Sequence, residues 1–375
     1  MSIEIKKVEN RSGLRKFINF QYSHYSDNQF FVPPMMFDEL NTFDPKKNPV
    51  HEFCDTVHYI AYDGNTPVGR IVGIINHRFN EKFTQKQARF GWVEFTDNKE
   101  VSGGLLNKVE KWAKANGMTE IVGPMGYTDL DFEGCLVEGF DQIGTSSTIY
   151  NYPYYESHLL NNGYEREVDW VEYKIFIPEG IPEKHMRIGE IVKKKYNLTV
   201  ITPTDRNQLV KEYGQKVFDL LNIAYADLYG FCELTQKQID YYIDMYLKLL
   251  RLDCVRLIID SENNVVGFGI AIPSMAKAMQ KANGKLFPLG FAHLIKALKC
   301  KNDVIDLYLV GVHPDYQSKG VNALLFTELI PQFIKNGYHY AESNPELEHN
   351  GKVQGQWEYF ERIQHKRRRA FKKNI

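Results

Sequence analysis

The sequence has 375 residues, 43% hydrophobic and 25% charged, which is the composition of an ordinary folded protein with two or three domains. Its 46 basic and 47 acidic residues argue against general nucleic-acid binding, which needs an excess of lysine and arginine. The five cysteines form no CxxC pair and the histidines show no ligand spacing, so we predict neither disulfides nor a metal site. With no signal-peptide core and no apolar run long enough to span a membrane, we expect a cytoplasmic protein.

The first half of the chain predicts three strands followed by a helix. Residues 58–62 and 68–75 are apolar, and the Asp-Gly-Asn turn between them indicates a strand pair. Residues 90–95 predict a third strand. Apolar residues recur at helical spacing over 101–116, and Gly117 is a typical residue to end that helix.

The second half repeats this pattern after a linker. Residues 178–183 contain two prolines and a glycine, so we predict domains over 1–180 and 184–375. The predicted elements that follow are helices over 208–225 and 236–252, strands over 254–259, 265–272 and 304–312, a helix over 322–336, a strand over 339–343 and a helix over 351–362.

The junction between the strand 304–312 and the following helix carries the clearest chemical signal. Backbone N–H groups at a helix start are unpaired and lie at the positive end of the helix dipole, which suits a pyrophosphate. Gly320 allows close approach of the backbone, and Lys319 adds a positive charge. From geometry alone, a plain strand-to-helix connection is an equally good interpretation, and the P-loop pattern GxxxxGK[ST] is absent.

The pattern Val312-x-Pro314-x-x-Gln317-x-x-Gly320 resembles motif A of the GNAT superfamily of N-acyltransferases. The resemblance implies CoA or acyl-CoA as the co-substrate, without a metal. It assigns the pyrophosphate contacts to Gln317, Ser318, Lys319, Gly320, Val321 and Asn322, and the thioester-side backbone to Val310, Gly311 and Val312. Asn322 stands where that family usually has Gly or Ala.

The resemblance extends over nearly the whole chain, to a bacterial family of two-domain GNAT-like proteins. The matching stretches include 31–34, 67–71, 123–124, 139–140, 150–155, 284–288 and 342–350. It implies an α/β (α+β) protein with two tandem GNAT-like modules, each a mixed, mostly antiparallel sheet flanked by helices. The junction 96–104 of the first module lacks the motif, and its Asp97 and Glu100 would repel a pyrophosphate. We therefore predict a degenerate first module that shapes an acceptor cleft, with a purely structural role as the alternative.

The candidates for catalysis follow the motif. Glu342, on the strand after the motif-A helix, is the predicted general base, with a solvated ion-pair residue as the alternative. Glu346 and Glu348 are weaker candidates on a predicted loop. Many GNAT proteins use a tyrosine as the general acid; Trp357 stands at that position here, and Tyr359 is either a displaced acid or a core residue.

Residues of the first half are candidates for the acceptor site. Tyr152 and Tyr155 belong to the aromatic run 150–155, which either lines an acceptor pocket or forms an interdomain segment. The family analogy adds Asn151 and Arg70.

Two other segments each carry two interpretations. The apolar stretch 287–298 either shelters an acyl chain or packs on the sheet. The basic tail 366–373 is a strand with Ala370 and Phe371 inside and a solvated outer face, or it contacts anionic lipid or RNA.

The functional hypothesis is transfer of an acyl group from acyl-CoA to the amine of a small acceptor by direct attack. A non-catalytic sensor of acyl-CoA is the alternative, favoured by Asn322 and by the missing tyrosine. A third is an aminoacyl- or peptidyl-type transferase, against which the near-neutral charge weighs. The sequence leaves the acceptor, the acyl length and the oligomeric state open.

Overall fold

A computed structural model of the protein describes residues 3–247 and 250–375. The chain forms two compact units. The first consists of the chain up to Val171 with Met275–Leu294 and His365–Ile375, and the second of Glu172–Ser274 and Ile295–Gln364. The second half of the sequence thus supplies two segments of the first unit, whereas the predicted domains follow chain order.

The first unit is a mixed sheet with helices on both faces. Its strands are β1 (Ile3–Lys7), β2 (Cys54–Asp63), β3 (Thr66–Asn76), β4 (Gln87–Phe95), β5 (Glu120–Gly123), β6 (Cys135–Glu138), the first part of β7 (Glu165–Phe176) and most of β14 (Arg362–Asn374). Its helices are α1 (Arg11–His24), α2 (Met36–Thr42), α3 (His77–Phe83), α4 (Lys99–Ala115), α5 (Tyr154–Asn161) and α9 (Ala276–Ala282). The strand order is β1-β2-β3-β4-β5-β14-β7, with β6 paired to β14.

Strand β3 shows why both faces of this sheet are covered. Ile71 and Ile75 are fully buried in the cluster that includes α4. Val72 and Ile74, which point to the opposite face, are fully buried in the cluster that includes α1. A strand that buries apolar side chains on both of its faces therefore needs a helix on each side.

The second unit repeats this layout. Its strands are the end of β7, β8 (Thr199–Ile201), β9 (Val255–Ile259), β10 (Val265–Pro273), β11 (Val304–Val312), β12 (Tyr340–Glu342) and β13 (Glu346–Leu347). Its helices are α6 (Glu183–Lys195), α7 (Arg206–Ala224), α8 (Gln236–Met245), α11 (Val321–Asn336) and α12 (Gly351–Gln354), and α10 (Gly290–Lys299) joins the two units in sequence. The strand order is β7-β12-β11-β10-β9-β8, with β13 paired to β7.

The pairing directions confirm the predicted sheet type. In the first unit β4 and β5 are parallel while β1 to β4 are antiparallel neighbours. In the second unit β11 and β12 are parallel while β8 to β11 are antiparallel neighbours. Each unit is therefore a mixed, mostly antiparallel sheet. Among the helices that the structure describes, none combines the length and hydrophobicity needed to cross a membrane.

Two predicted helices are shorter in the structure. Helix α8 ends at Met245 instead of residue 252. The helix predicted over 351–362 stops at Gln354 and continues only as a 3-10 turn, Gly355–Trp357, before β14 begins. Gly355 weakens a helix there because glycine has a high conformational entropy in the unfolded chain.

The C-terminal strand β14 closes the first unit by pairing with β5 and β6. Ala370 and Phe371 are fully buried, as predicted. The expectation of a solvated outer face is wrong: Arg368 is 1% exposed, and Arg369 donates from Nε to the Asp169 carboxylate over 2.8 Å. The arginines that suggested lipid or RNA are thus engaged within the protein.

Candidate acyl-CoA site

The junction between β11 and α11 is built from a short turn and a left-handed glycine. Strand β11 ends at Val312, the 3-10 turn Pro314–Tyr316 follows, and α11 begins at Val321. The Gln317 side chain donates from Nε2 to the Val312 carbonyl over 3.1 Å. Gln317 thus ties the loop to the end of the strand. Contact with a ligand in this loop is therefore left to backbone N–H groups.

The loop presents a cluster of unpaired amides. Ser318 and Gly320 have φ angles of 57° and 81°, a left-handed pattern that turns successive N–H groups toward one point. Within the described chain, the N–H groups of Ser318, Gly320, Val321 and Asn322 have no protein acceptor. They lie at the N-terminus of a 16-residue helix. This arrangement fits the phosphate groups of a CoA molecule.

Packing supports the loop from one side. A Cβ atom at position 320 would lie 2.7 Å from a methyl group of Ile188 in α6. Lys319 is exposed, and its ammonium group lies 5.4 Å and 5.7 Å from the ring centres of Tyr196 and Tyr316. Helix α6 thus fixes the backbone while the exposed lysine remains at the mouth of the loop.

Asn322, the departure from the family pattern, is half-buried. Its side-chain oxygen is inaccessible to water and has no hydrogen-bond partner. A side-chain amide carries two donors as well as an acceptor, and the assignment of its two ends is interchangeable. Because the end of the side chain that holds this buried atom is closed to water, it is also closed to a phosphate, and a pyrophosphate contact of the Asn322 side chain stays a prediction.

Strands β11 and β12 separate beyond Asp306. They pair only from Val304 to Asp306, because β12 ends at Glu342 while β11 continues to Val312. The β10 register skips Tyr308, which marks a bulge in β11. The Asn344 amide donates to the Tyr308 carbonyl, and the Tyr225 hydroxyl donates to the Val310 carbonyl over 3.0 Å. The splayed, bulged backbone is the feature expected beside a thioester.

Three acidic side chains lie near the end of β12, those of Glu342, Asp306 and Glu346. Glu342 is 5% exposed and lies in register with Asp306 of β11. Glu346, on β13, accepts a hydrogen bond from the Trp357 indole N–H over 2.8 Å at one carboxylate oxygen. Its other oxygen is buried without a hydrogen-bond partner. Burial raises the pKa of Glu346 to about 7, against the opposing effects of Trp357 and Arg362.

Tyr359, the predicted acid, lies on the surface of the second unit. It is 47% exposed, the Lys184 ammonium donates to its hydroxyl, and the same ammonium lies 4.0 Å from its ring centre. The His185 ring meets it edge-on at 5.4 Å. The interpretation of Tyr359 as a core residue does not fit this exposure, and its role as an acid stays a prediction.

The corresponding junction of the first unit is occupied by protein. Helix α5 covers it: His158 contacts Asp97 over 2.8 Å, the Tyr154 hydroxyl donates to the Phe95 carbonyl over 2.6 Å, and Tyr155 accepts from the Phe95 amide over 3.0 Å. Helix α5 thus covers the end of β4, and at the start of α4 the Glu100 N–H already donates to the Asn98 side chain over 2.8 Å. Asp97 is one of the residues from which we predicted that the first half has no CoA loop. In the structure its carboxylate contacts His158.

The predicted acceptor residue Arg70 lies beside a small cavity in the first unit. It donates from Nε to Glu94 over 2.6 Å, and Glu39 receives the Trp92 indole N–H over 3.3 Å. Gln21 also lines the cavity. The volume within which the centre of a water molecule could lie is about 10 Å³. That is room for roughly one water. Arg70 as an acceptor ligand remains a prediction, and it would need this cluster to open.

The other predicted acceptor residues hold local structure. Asn151 bonds the Leu136 carbonyl over 3.0 Å as well as the Leu136 amide. The Tyr152 hydroxyl donates to the His24 carbonyl over 3.2 Å, and Tyr155 is 1% exposed. Asn151 and Tyr155 are buried and Tyr152 is half-buried. Their contact with an acceptor also stays a prediction.

The buried carboxyl of Glu39 makes stability depend on pH. Burial raises its pKa to about 7 from an ordinary 4.5. The folded protein therefore holds this proton more tightly than the unfolded chain, and the resulting stability is present below pH 4.5 and lost as the pH rises through 7. Between pH 5 and 8, we expect the wild type to lose about 2 kcal/mol more than Glu39→Gln in urea unfolding. The exposed Glu4→Gln is the control; equal pH dependence in all three proteins would contradict the assignment.

Comparison with solved structures decides the fold. A tandem GNAT protein from the clavulanic acid biosynthesis pathway superposes with a TM-score of 0.57 at 12% identity, covering 100% of this chain and 98% of that one. The protein has the tandem GNAT fold. A GCN5-related N-acetyltransferase from Sphaerobacter thermophilus matches with a TM-score of 0.50 at 9% identity, over 99% of this chain and 95% of that one.

Two curated relatives match most of this chain. Protein YghO of Escherichia coli strain K12 is 27% identical over 99% of this chain and 95% of its own. The bacterial ceramide synthase of Caulobacter vibrioides is 24% identical, over 84% of this chain and 82% of its own. No family model matches the sequence.

Proposed function

We propose that this protein is an acyl-CoA-dependent N-acyltransferase with its donor site at the start of α11. The observation that carries the proposal is the set of four unpaired amides from Ser318 to Asn322 beside the splayed strand β11. The tandem GNAT fold supports an acyl-CoA donor. The relative named a ceramide synthase supports an amine acceptor, since a ceramide is a fatty amide.

The chain's own groups suit direct transfer. Amides of the α11 start hold the phosphates, and the β11 backbone between Tyr308 and Val312 faces the thioester carbonyl, where its N–H groups stabilise the negative charge of the tetrahedral intermediate. The acceptor amine forms the new C–N bond and its proton passes to a carboxylate. The C–S bond breaks with its electron pair going to sulfur, and the CoA thiolate that leaves takes up a proton from solvent. Glu346 suits that step because its pKa of about 7 lets it be ionised yet basic at neutral pH. Glu342 is the alternative base.

A non-catalytic sensor of acyl-CoA is the second candidate. It is favoured by Trp357, which occupies the position of the family's usual tyrosine acid and is bonded to Glu346. Calorimetry with CoA and with short and long acyl-CoAs tests donor binding, and thiol release with a panel of amines tests transfer. Binding with no thiol release from any amine would establish the sensor. Absence of binding to every CoA species by the folded protein would reject both.

Lys319 offers a test of the electrostatics. We expect Lys319→Glu to weaken CoA binding about tenfold at low salt, because the reversed charge lies at the mouth of the phosphate seat. The difference from wild type should shrink as ionic strength rises. Lys211→Glu, on α7, makes the same change in net charge and should bind as wild type. Equal affinities of all three proteins at low salt would contradict the placement of the phosphates.

A further inference from the structure

The segment between α9 and the end of α10 carries an exposed apolar surface. Helix α10 is formed, as its sequence suggested, but the stretch does not pack fully on the protein. Phe287, Leu289, Phe291 and Ile295 are 76%, 64%, 43% and 48% exposed. Leu294, on another side of the helix, packs into a small core cluster with α9. One side of the segment thus anchors it, and the other is left in water; we call the four exposed side chains the apolar patch.

Leaving the apolar patch in water is unfavourable. Burial of such side chains is favourable, so an exposed group of this kind marks an interaction surface. The ring centres of Phe287 and Phe291 lie 5.8 Å apart, and Ile295 follows Phe291 by one helical turn, so these three side chains form one surface. Elsewhere in the described chain, at most two large exposed apolar residues fall within any nine residues of sequence, as Tyr359 and Ile363 do.

The charge along the segment that carries the apolar patch is of one sign. From Asn263 to Asn302 the sequence contains no Asp or Glu, in a chain whose overall net charge is −1. The same stretch contains six lysines: Lys277, Lys281, Lys285, Lys296, Lys299 and Lys301. Across the part of the chain that the structure describes, none of these lysines takes part in an ion pair. They therefore keep their full positive charge for an external partner.

We propose that the apolar patch and its lysines dock the protein on an anionic lipid bilayer. Phenylalanine and leucine side chains enter the boundary between headgroups and acyl chains, and lysines extend their charged ends toward anionic headgroups. A second copy of the chain is a poor partner, because a two-fold interface would place the same lysines against each other with no acidic residues to neutralise them. The surface attaches the protein peripherally, and this inference does not depend on the catalytic proposal.

Vesicle flotation without any CoA tests the proposal. We expect the wild-type protein to float with vesicles of phosphatidylglycerol and phosphatidylcholine, and not with pure phosphatidylcholine. Replacing Lys281, Lys285 and Lys296 with Glu should weaken binding by roughly 100-fold, since each lysine near the surface contributes roughly fivefold. The matched control, Lys193→Glu with Lys194→Glu and Lys195→Glu, makes the same charge change at the end of α6 and should retain binding.

A second pair of variants isolates the apolar contribution. Phe287→Ser with Phe291→Ser should weaken vesicle binding at least tenfold, whereas Ile191→Ser with Ile223→Ser, also exposed, should not. Circular dichroism confirms that all variants are folded. The proposal is overturned if wild type does not bind anionic vesicles, or if the control variants lose as much binding as the test variants. Light scattering that shows a dimer dissociated by Phe287→Ser with Phe291→Ser would assign the patch to a second copy instead.

Discussion

Replacing Gly320 with alanine is expected to weaken acyl-CoA binding at least tenfold. Residue 320 has φ of 81°, where a side chain is strained, and the new Cβ would press on Ile188 at 2.7 Å. The loop must move away from α6, which disperses the N–H groups of Ser318 and Val321 that converge on the phosphate. Calorimetric titration with CoA measures the loss, and a melting curve records the accompanying loss of stability.

Gly337 provides the matched control for Gly320. It ends the same helix α11 with φ of 74°, so Gly337→Ala carries a comparable backbone strain. Its added Cβ would meet only the flexible Lys301 side chain, at 3.1 Å. Both variants should lose about 1–2 kcal/mol of stability, and only Gly320→Ala should lose CoA affinity. Equal losses of CoA affinity in the two variants would mean that affinity falls only because α11 is less stable, and would contradict a phosphate site at Gly320.

Replacing Glu346 with glutamine is expected to lower kcat by roughly 100- to 1,000-fold while leaving acyl-CoA binding unchanged. Glutamine keeps the shape and can still accept the Trp357 hydrogen bond, but it cannot take up a proton. Steady-state thiol release with a reactive amine gives kcat, and calorimetry gives the donor affinity. Glu342→Gln is the comparison: if that variant loses kcat and Glu346→Gln does not, the base is Glu342.

The pH dependence of the rate distinguishes Glu346 as the base from a purely structural role of Glu346. The base acts when ionised, so kcat should rise with pH through about 7. The Trp357 N–H stabilises the ionised carboxylate and lowers its pKa against the effect of burial. Trp357→Phe removes that donor, so the midpoint of the profile should move to higher pH. If the midpoint of the kcat profile is unchanged in Trp357→Phe, Glu346 is not the base.

The elements around the candidate site show what sequence patterns predict well. Strand 304–312 is predicted to the residue and α11 to within one residue, because each has a strong local periodicity and Gly337 ends the helix with its own backbone preference. The helix predicted over 351–362 is cut short after Gln354, where Gly355 weakens it, although Val353, Trp357 and Phe360 recur at helical spacing. Local patterns thus locate the donor loop but not the segment after it.

Several features could not be predicted from local patterns. Glu346 was a weak candidate because its raised pKa comes from burial, which outweighs the opposing hydrogen bond from Trp357, eleven positions away in sequence. The buried Arg70–Glu94–Glu39 cluster depends on contacts among α2, β3 and β4. The left-handed Ser318, which the motif pattern does not specify, completes the converging amides with Gly320.

The sequence alone determined the two repeated sheets, the motif before α11 and the absence of that motif in the first half. These depend on residue type and spacing over short stretches, where backbone preferences act directly. Only the tertiary structure decided that β14 closes the first unit, that α5 occupies the first junction, and that the apolar patch stays exposed. Burial and exposure depend on which distant segments pack together, and the spacing of residues within a short stretch does not predict that packing.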